Sequence, residues 1–207
     1  AAYQWQYAAS CGGGFTNIAG ATSASYSISG TAVSNAGAYQ VVVTGACNTV
    51  TSNCVALVVN SPVSVTTQPA NVSVCLPTNT TSISIAATGT AVTYQWQQST
   101  DAGASWTNIS GATAATLNLT GLTASMNGYR YRALLAGTCT PSLISSSAVL
   151  TVNSPVAITA QPLAVKKCVG DNHTFSVSAT GSTITYQWQV STGGPFANVS
   201  NGGVYSG

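Results

Sequence analysis

Residues 92–106 read VTYQWQQSTDAGASW, and the tetrad YQWQ inside them occurs three times, starting at Tyr3, Tyr94 and Tyr186, about 92 residues apart. Self-similarity at a fixed period marks an array of structural units. Working outward, NSPVSVTTQPANVSVC (60–75) returns as NSPVAITAQPLAVKKC (153–168), which places Pro62, Pro69 and Cys75 on Pro155, Pro162 and Cys168. The stretch TYQWQQSTDAGASWTNISGATAATLNL (93–119) matches the first copy, with Trp106, Asn108, Ile109 and Gly111 falling on Phe15, Asn17, Ile18 and Gly20. The expected organisation is the C-terminal part of one repeat (1–60), a complete repeat (61–153) and the N-terminal part of a third (154–207), a window cut from a longer polypeptide. The junctions VVNSPV and TVNSPV hold no flexible linker, which predicts a semi-rigid rod.

Within a repeat the hydrophobic period is two. Ile83 and Ile85 alternate with Ser82 and Ser84, and Leu117 and Leu119 alternate with Asn118 and Thr120. Gly, Asn, Pro and Ser recur at the spacing of turns between short strands, and no stretch has helical spacing with caps. The pattern predicts an all-β protein built as β-sandwiches.

Composition narrows the chemistry. Asp, Glu, Lys and Arg together make up 3% of the 207 residues, with a net charge of +2, while 45% of residues are hydrophobic. A core can form under a surface of Ser, Thr, Asn, Gln and Gly. Two acidic side chains and one histidine leave no constellation for general acid–base catalysis, a cofactor or a metal, so no enzyme is expected. Four basic residues give no electrostatic footprint for nucleic acid, and no apolar run is long enough for a membrane-spanning helix. Six cysteines without a CxxC pair suit extracellular disulfides better than zinc.

From Tyr26 the first copy runs YSISGTAVSNAGAYQV, which resembles the E–F region of immunoglobulin domains, where an apolar alternation leads to D-x-G-x-Y-x-C. Asn35, Gly37, Tyr39 and Val41 take the four marked places; the second copy has Asn127, Tyr129, Tyr131 and Ala133. Trp5, Trp96 and Trp188 match the buried tryptophan of strand C. The whole chain resembles the tandem Ig-like repeats of large secreted surface proteins of the Bacteroidota, a group that includes gliding adhesins exported by the type 9 system. That resemblance implies tandem immunoglobulin-like β-sandwich repeats of about 92 residues, located outside the cell or on its surface.

The usual B–F disulfide is absent, since Ala86 or Ala87 and Ala133 fill its positions. Cysteine stands instead before strand B (Cys75, Cys168) and after strand F (Cys47, Cys139). Two pairings are open: a bond within one repeat, Cys75 to Cys139, or a staple between consecutive repeats. Cys11 and Cys54 could pair with each other, or Cys54 could close the F–G hairpin with Cys47.

Strand alternation sends Tyr94 and Trp96 to one face and Gln95 and Gln97 to the other, so the tetrad is expected to hold the core and not to form a sugar platform. Tyr39 and Tyr131 complete the expected structural core. STDAGASW (99–106) resembles the Asp-box, a hairpin turn whose Asp caps backbone amides. Arg130 and Arg132 should face outward, and Lys166-Lys167 reads as a solvated turn. His173 reads as a surface residue, and six N-x-S/T sequons (Asn71, Asn79, Asn108, Asn118, Asn172, Asn198) are within chance for this composition. The expected function is a structural stalk segment of a long extracellular fibre or adhesin. Its partners are the neighbouring repeats and, through a charge-poor surface, laterally associated copies. The alternative is a glycan-binding module with loop aromatics such as Tyr7 and Tyr205.

Overall fold

The computed structural model describes residues 1–202 and Tyr205. Strands and turns make up nearly all of it, with short 3-10 turns at Val33–Asn35 and Ala124–Met126. The first stretch contains β1 (Ala2–Ala8), β2 (Thr16–Asn17), β3 (Gly37–Thr44), β4 (Thr49–Thr51) and β5 (Val55–Leu57). They form one sheet in the order β2-β1-β3-β4, with β5 also paired to β3.

The middle stretch contains β6 (Ser64–Thr67), β7 (Val72–Cys75), β8 (Thr80–Ser84), β9 (Ala86–Thr88), β10 (Thr93–Ser99), β11 (Thr107–Asn108), β12 (Thr116–Thr120), β13 (Arg130–Ala136), β14 (Leu143–Ile144) and β15 (Ala148–Asn153). One sheet runs β11-β10-β13-β15-β7, with β14 also on β13. Facing it, β12 pairs with β8 and β6 with β9. Pro69 cannot donate to a ladder, so β6 ends there and the chain crosses to the other sheet, where β7 runs parallel to β15.

Side chains alternate as the period-two pattern requires. In β13, Tyr131, Ala133 and Leu135 are buried, with Arg130, Arg132 and Leu134 between them. In β12, Leu117 and Leu119 point inward. These meet Ile83, Ile85, Trp96, Leu150 and Val152 in one cluster whose buried members run from Val63 to Val152. Strand B of the immunoglobulin pattern, here β8 and β9, presents Ile83 and Ile85 to this core. Of the two residues expected at the lost cysteine position, Ala86 is exposed and Ala87 is half-buried and packed against the core, because the alternation that turns Ile85 inward turns Ala86 out and Ala87 back in.

The last stretch contains β16 (Ala157–Ala160), β17 (Ser178–Thr180), β18 (Gln189–Val190) and β19 (Ala197–Asn198), paired β16-β17 and β18-β19. Its strand pairing is sparser for a physical reason. Residues 172–176, which align with β8, carry the same alternation but form no strand. Their partner in the middle stretch is β12, and the described residues after 178 supply no counterpart of it. The first stretch is the mirror case: residues 25–29 align with β12 and form no strand. A strand exists only where its ladder partner exists.

Candidate functional site

The tetrad is built the same way in all three copies. The side-chain amide of the first glutamine bridges two carbonyls: Gln95 donates to Trp96 O and Ile109 O, Gln4 to Trp5 O and Ile18 O, and Gln187 to Trp188 O and Val199 O, all at 2.8–3.0 Å. The second glutamine donates to an asparagine on the neighbouring short strand: Gln97 to Asn108, Gln6 to Asn17, Gln189 to Asn198. The glutamine face therefore locks the hairpin, and the sequon residues Asn108 and Asn198 are acceptors in that lock. On the other face, Trp96 is 0% exposed and its indole N–H donates to Ala114 O at 2.9 Å. Trp5 is half-buried and donates likewise to Ser23 O. Trp188 departs from the expected enclosure. It is 40% exposed, because among the described residues the strands that cover Trp96 have no counterpart around it.

The corner tyrosines differ between copies. Tyr39 donates from its hydroxyl to Asn35 O at 2.7 Å. Gly37 is required there, since a Cβ would run into the ring of Tyr7. Tyr7 itself packs edge-on against Tyr39 and donates to Ala36 O, so it is a strand residue in the packing and not a loop aromatic open to a sugar. In the second copy, Gln98 stands in the place of Tyr7 and Tyr129 in the place of Gly37, so the aromatic ring has changed strands. Tyr131 there is 0% exposed, and its hydroxyl is buried without a hydrogen-bond partner. Burial, and then the neighbouring Tyr129, push its phenol above the ordinary 10.0.

The 99–106 turn is tied by its own side chains. Buried Ser99 donates to Asp101 and accepts from Gly103 N–H, and Ser105 donates to Asp101 from both hydroxyl and backbone. Those bonds, Ser105 first, hold the Asp101 carboxyl well below the usual carboxylate range. Asp101 is therefore committed to capping the turn. The turn sets Trp106 under Arg132, whose guanidinium lies 4.1 Å above the indole while its Nε donates to Gln97 Oε1. Arg130 and Arg132 do lie on the outer face, but Arg132 is fixed there and is not simply solvated. Sequence reasoning gave Trp106 no role beyond the turn. The signal was present in the pairing register, which puts Gln97 opposite Arg132 and beside Asn108.

Of the six candidate cysteines, Cys11 and Cys54 are joined, with Cα atoms 5.7 Å apart. Cys11 lies in the turn that Asp101 ties in the second copy, so one turn is fastened covalently and the other by a carboxylate. Cys47, Cys75, Cys139 and Cys168 are free thiols. A Cys75–Cys139 bond within one repeat is excluded by register. Cys75 is level with Asn153, and Ala148, five residues back along β15, is level with Tyr131, from which β13 runs on away from Cys75 to Ala136. That path is roughly ten residues, about 33 Å, against the 4.4–6.8 Å a disulfide requires.

Among the described residues no group of three His, Cys, Asp or Glu could hold a metal ion, and no helix is long and apolar enough to cross a membrane. His173 is exposed and stacks edge-on against Phe175 at 4.6 Å. Tyr205 is exposed. A trough lined by Val156, Ile158, Val177, Ile184, Tyr186 and Trp188 is the uncovered inner face of the last stretch.

Two face-packed sheets, a first strand that changes sheets at a proline, and an indole enclosed on strand C define an immunoglobulin-like β-sandwich protein. The model of a family described as a domain of unknown function (DUF8696) matches residues 1–61 and again 64–154, and the chain belongs to that family. The I-band fragment I67–I69 of titin is similar in fold, with a TM-score of 0.57 and 13% identity over 97% of this chain and 72% of that one. An E-to-A variant of the same titin fragment gives 0.55. Immunoglobulin domains 1–5 of Sidekick-1 are 18% identical, with a TM-score of 0.48, over 90% of this chain; the chain spans 42% of that fragment's length. Among curated proteins, none matches this sequence.

Proposed function

We propose that the chain is a non-enzymatic spacer: consecutive immunoglobulin-like repeats, divided at 1–60, 61–153 and 154–207, that form the stalk of an extracellular fibre or surface adhesin. One observation carries the reading. Asn153 is the last rung of the β7–β15 ladder, and the next residue, Ser154, is already bonded to Ser182 in both directions, at 2.9 and 3.1 Å. Ser61 and Thr90 make the same two bonds one repeat earlier. Gly89 and Gly181, at φ +141° and +140°, let the chain cross at each joint, where a Cβ would strike the backbone of Val63 or Val156. At the second joint no residue is left over between the last ladder rung and the first bond of the next unit, so bending is limited and length accumulates.

Each repeat would add roughly 35–40 Å, from strands near 3.3 Å per residue plus turns. Small-angle scattering on arrays of two, four and six copies of residues 61–153, whose buried core lies wholly within that span, tests this. The maximum dimension should grow in proportion to copy number. Growth as the square root would mean flexible joints and no stalk. The near-absence of charge adds a second property, lateral association of stalks into bundles, because little repulsion keeps copies apart.

Glycan binding is the second reading, and one observation favours it. The Arg132 guanidinium, held over Trp106 through its Nε bond to Gln97, has further N–H donors for a carboxylate-bearing sugar. A blank glycan array with the folded chain would remove it.

A further inference from the structure

We propose that consecutive repeats are stapled by a disulfide across each joint, between the cysteine that precedes strand B in one repeat and the cysteine that follows strand F in the next. This rests on the stalk reading. The free thiols fall into two equivalent sets, Cys75 with Cys168 and Cys47 with Cys139, so every copy of either position retains its cysteine while the B–F cysteines of the fold are gone.

Their placement explains the pattern. Cys75 is exposed and lies directly opposite Asn153, and the following residue, Leu76, donates to Asn153 O at 2.9 Å. It therefore borders the joint at which the next repeat begins. Cys139 borders the opposite joint. Thr138 donates to Thr90 O at 3.0 Å, and Thr90 is the residue bonded to Ser61. Ser182 holds the place of Thr90 in the following repeat and is bonded to Ser154. Cys75 thus borders the joint that follows its repeat, and Cys139 the joint that precedes it. In a stack, the Cys75 position of one repeat and the Cys139 position of the next border the same joint, which is where a bond with Cα atoms about 4.4–6.8 Å apart would have to form.

The chemistry balances as an exchange. Two thiols lose two protons and two electrons and form one S–S bond, and a low-molecular-weight disulfide accepts them and leaves as two thiols. Exchange of the same kind would close Cys11–Cys54.

The test is a tandem of two copies of residues 61–153, oxidised with glutathione disulfide, alkylated and mapped by peptide mass spectrometry. The expected result is one link, from Cys75 of the first copy to Cys139 of the second, with the other two cysteines alkylated. A Cys75→Ser change in the first copy should abolish it while leaving the β-sheet circular dichroism unchanged. Four alkylated or glutathionylated cysteines in a folded tandem would overturn the proposal, as would a link within one copy or only between separate molecules. The stalk reading fails separately, if scattering from the Cys75→Ser tandem gives a collapsed or flexible pair.

Discussion

Replacing Tyr131 with Phe should make the middle sandwich more stable, although the residue is completely buried at its centre. The hydroxyl has given up water without gaining a partner, and such a group costs about 1–3 kcal/mol. Removing one oxygen leaves a void of about 10–15 Å³, which at about 24 cal/mol per Å³ returns only ~0.3 kcal/mol of that. The net gain is about 1–2.5 kcal/mol. For a unit of this size each kcal/mol raises the melting temperature by roughly 4–8 °C. The equivalent change in the first copy, Tyr39→Phe, deletes a made bond to Asn35 and should cost about 1 kcal/mol. Hydrogen exchange resolved by peptide separates the two units. Amides in β10 and β13 should exchange about tenfold more slowly for each 1.4 kcal/mol gained. There is also a pH signature. Burial raises the folded-state pKa of Tyr131, so its contribution is full below the unfolded value of 10.0 and is lost as pH climbs through the higher folded value. Tyr131→Phe should flatten that alkaline slope. Equal destabilisation by Tyr131→Phe and Tyr39→Phe would mean that the hydroxyl is satisfied, and the reasoning would be refuted.

Asp101 has its folded-state pKa lowered from 3.8, so its stabilisation is present above that value and disappears as pH falls below it. Trp106 fluorescence in an acid titration should report loosening of the 99–106 turn, and Asp101→Asn should remove the pH dependence. Trp96→Ala should cost about 3–5 kcal/mol in thermal or denaturant unfolding. Trp188→Ala should cost less than Trp96→Ala, about 2 kcal/mol, because Trp188 is 40% exposed.

The all-β class, the repeat and the alternation of Tyr131, Ala133 and Leu135 against Arg130, Arg132 and Leu134 were legible in the linear sequence, because period-two patterning and self-similarity are local properties. So was the division of the tetrad into a tryptophan face and a glutamine face. The bonds made by those glutamines were not legible, since Gln97 meets Asn108 and Arg132 only after three strands are in register. The corner was half legible. The motif marked Tyr39 and Tyr131 as equivalents, but the exchange of Tyr7 and Gly37 for Gln98 and Tyr129 joins residues on different strands, and only packing relates them.

Pairing is what the linear pattern could not supply. Residues 25–29 and 172–176 alternate as well as any strand here, yet neither is one, because a ladder needs a second edge to satisfy its backbone groups. The same holds for the cysteines. Composition pointed to disulfides, but the choice of Cys11 with Cys54, and the exclusion of Cys75 with Cys139, came from which poles the register brings together. Alternation and repetition determined what this chain is made of. Long-range contact decided which of its strands, rings and thiols have partners, because a partner is a property of two places in the chain and a pattern is a property of one.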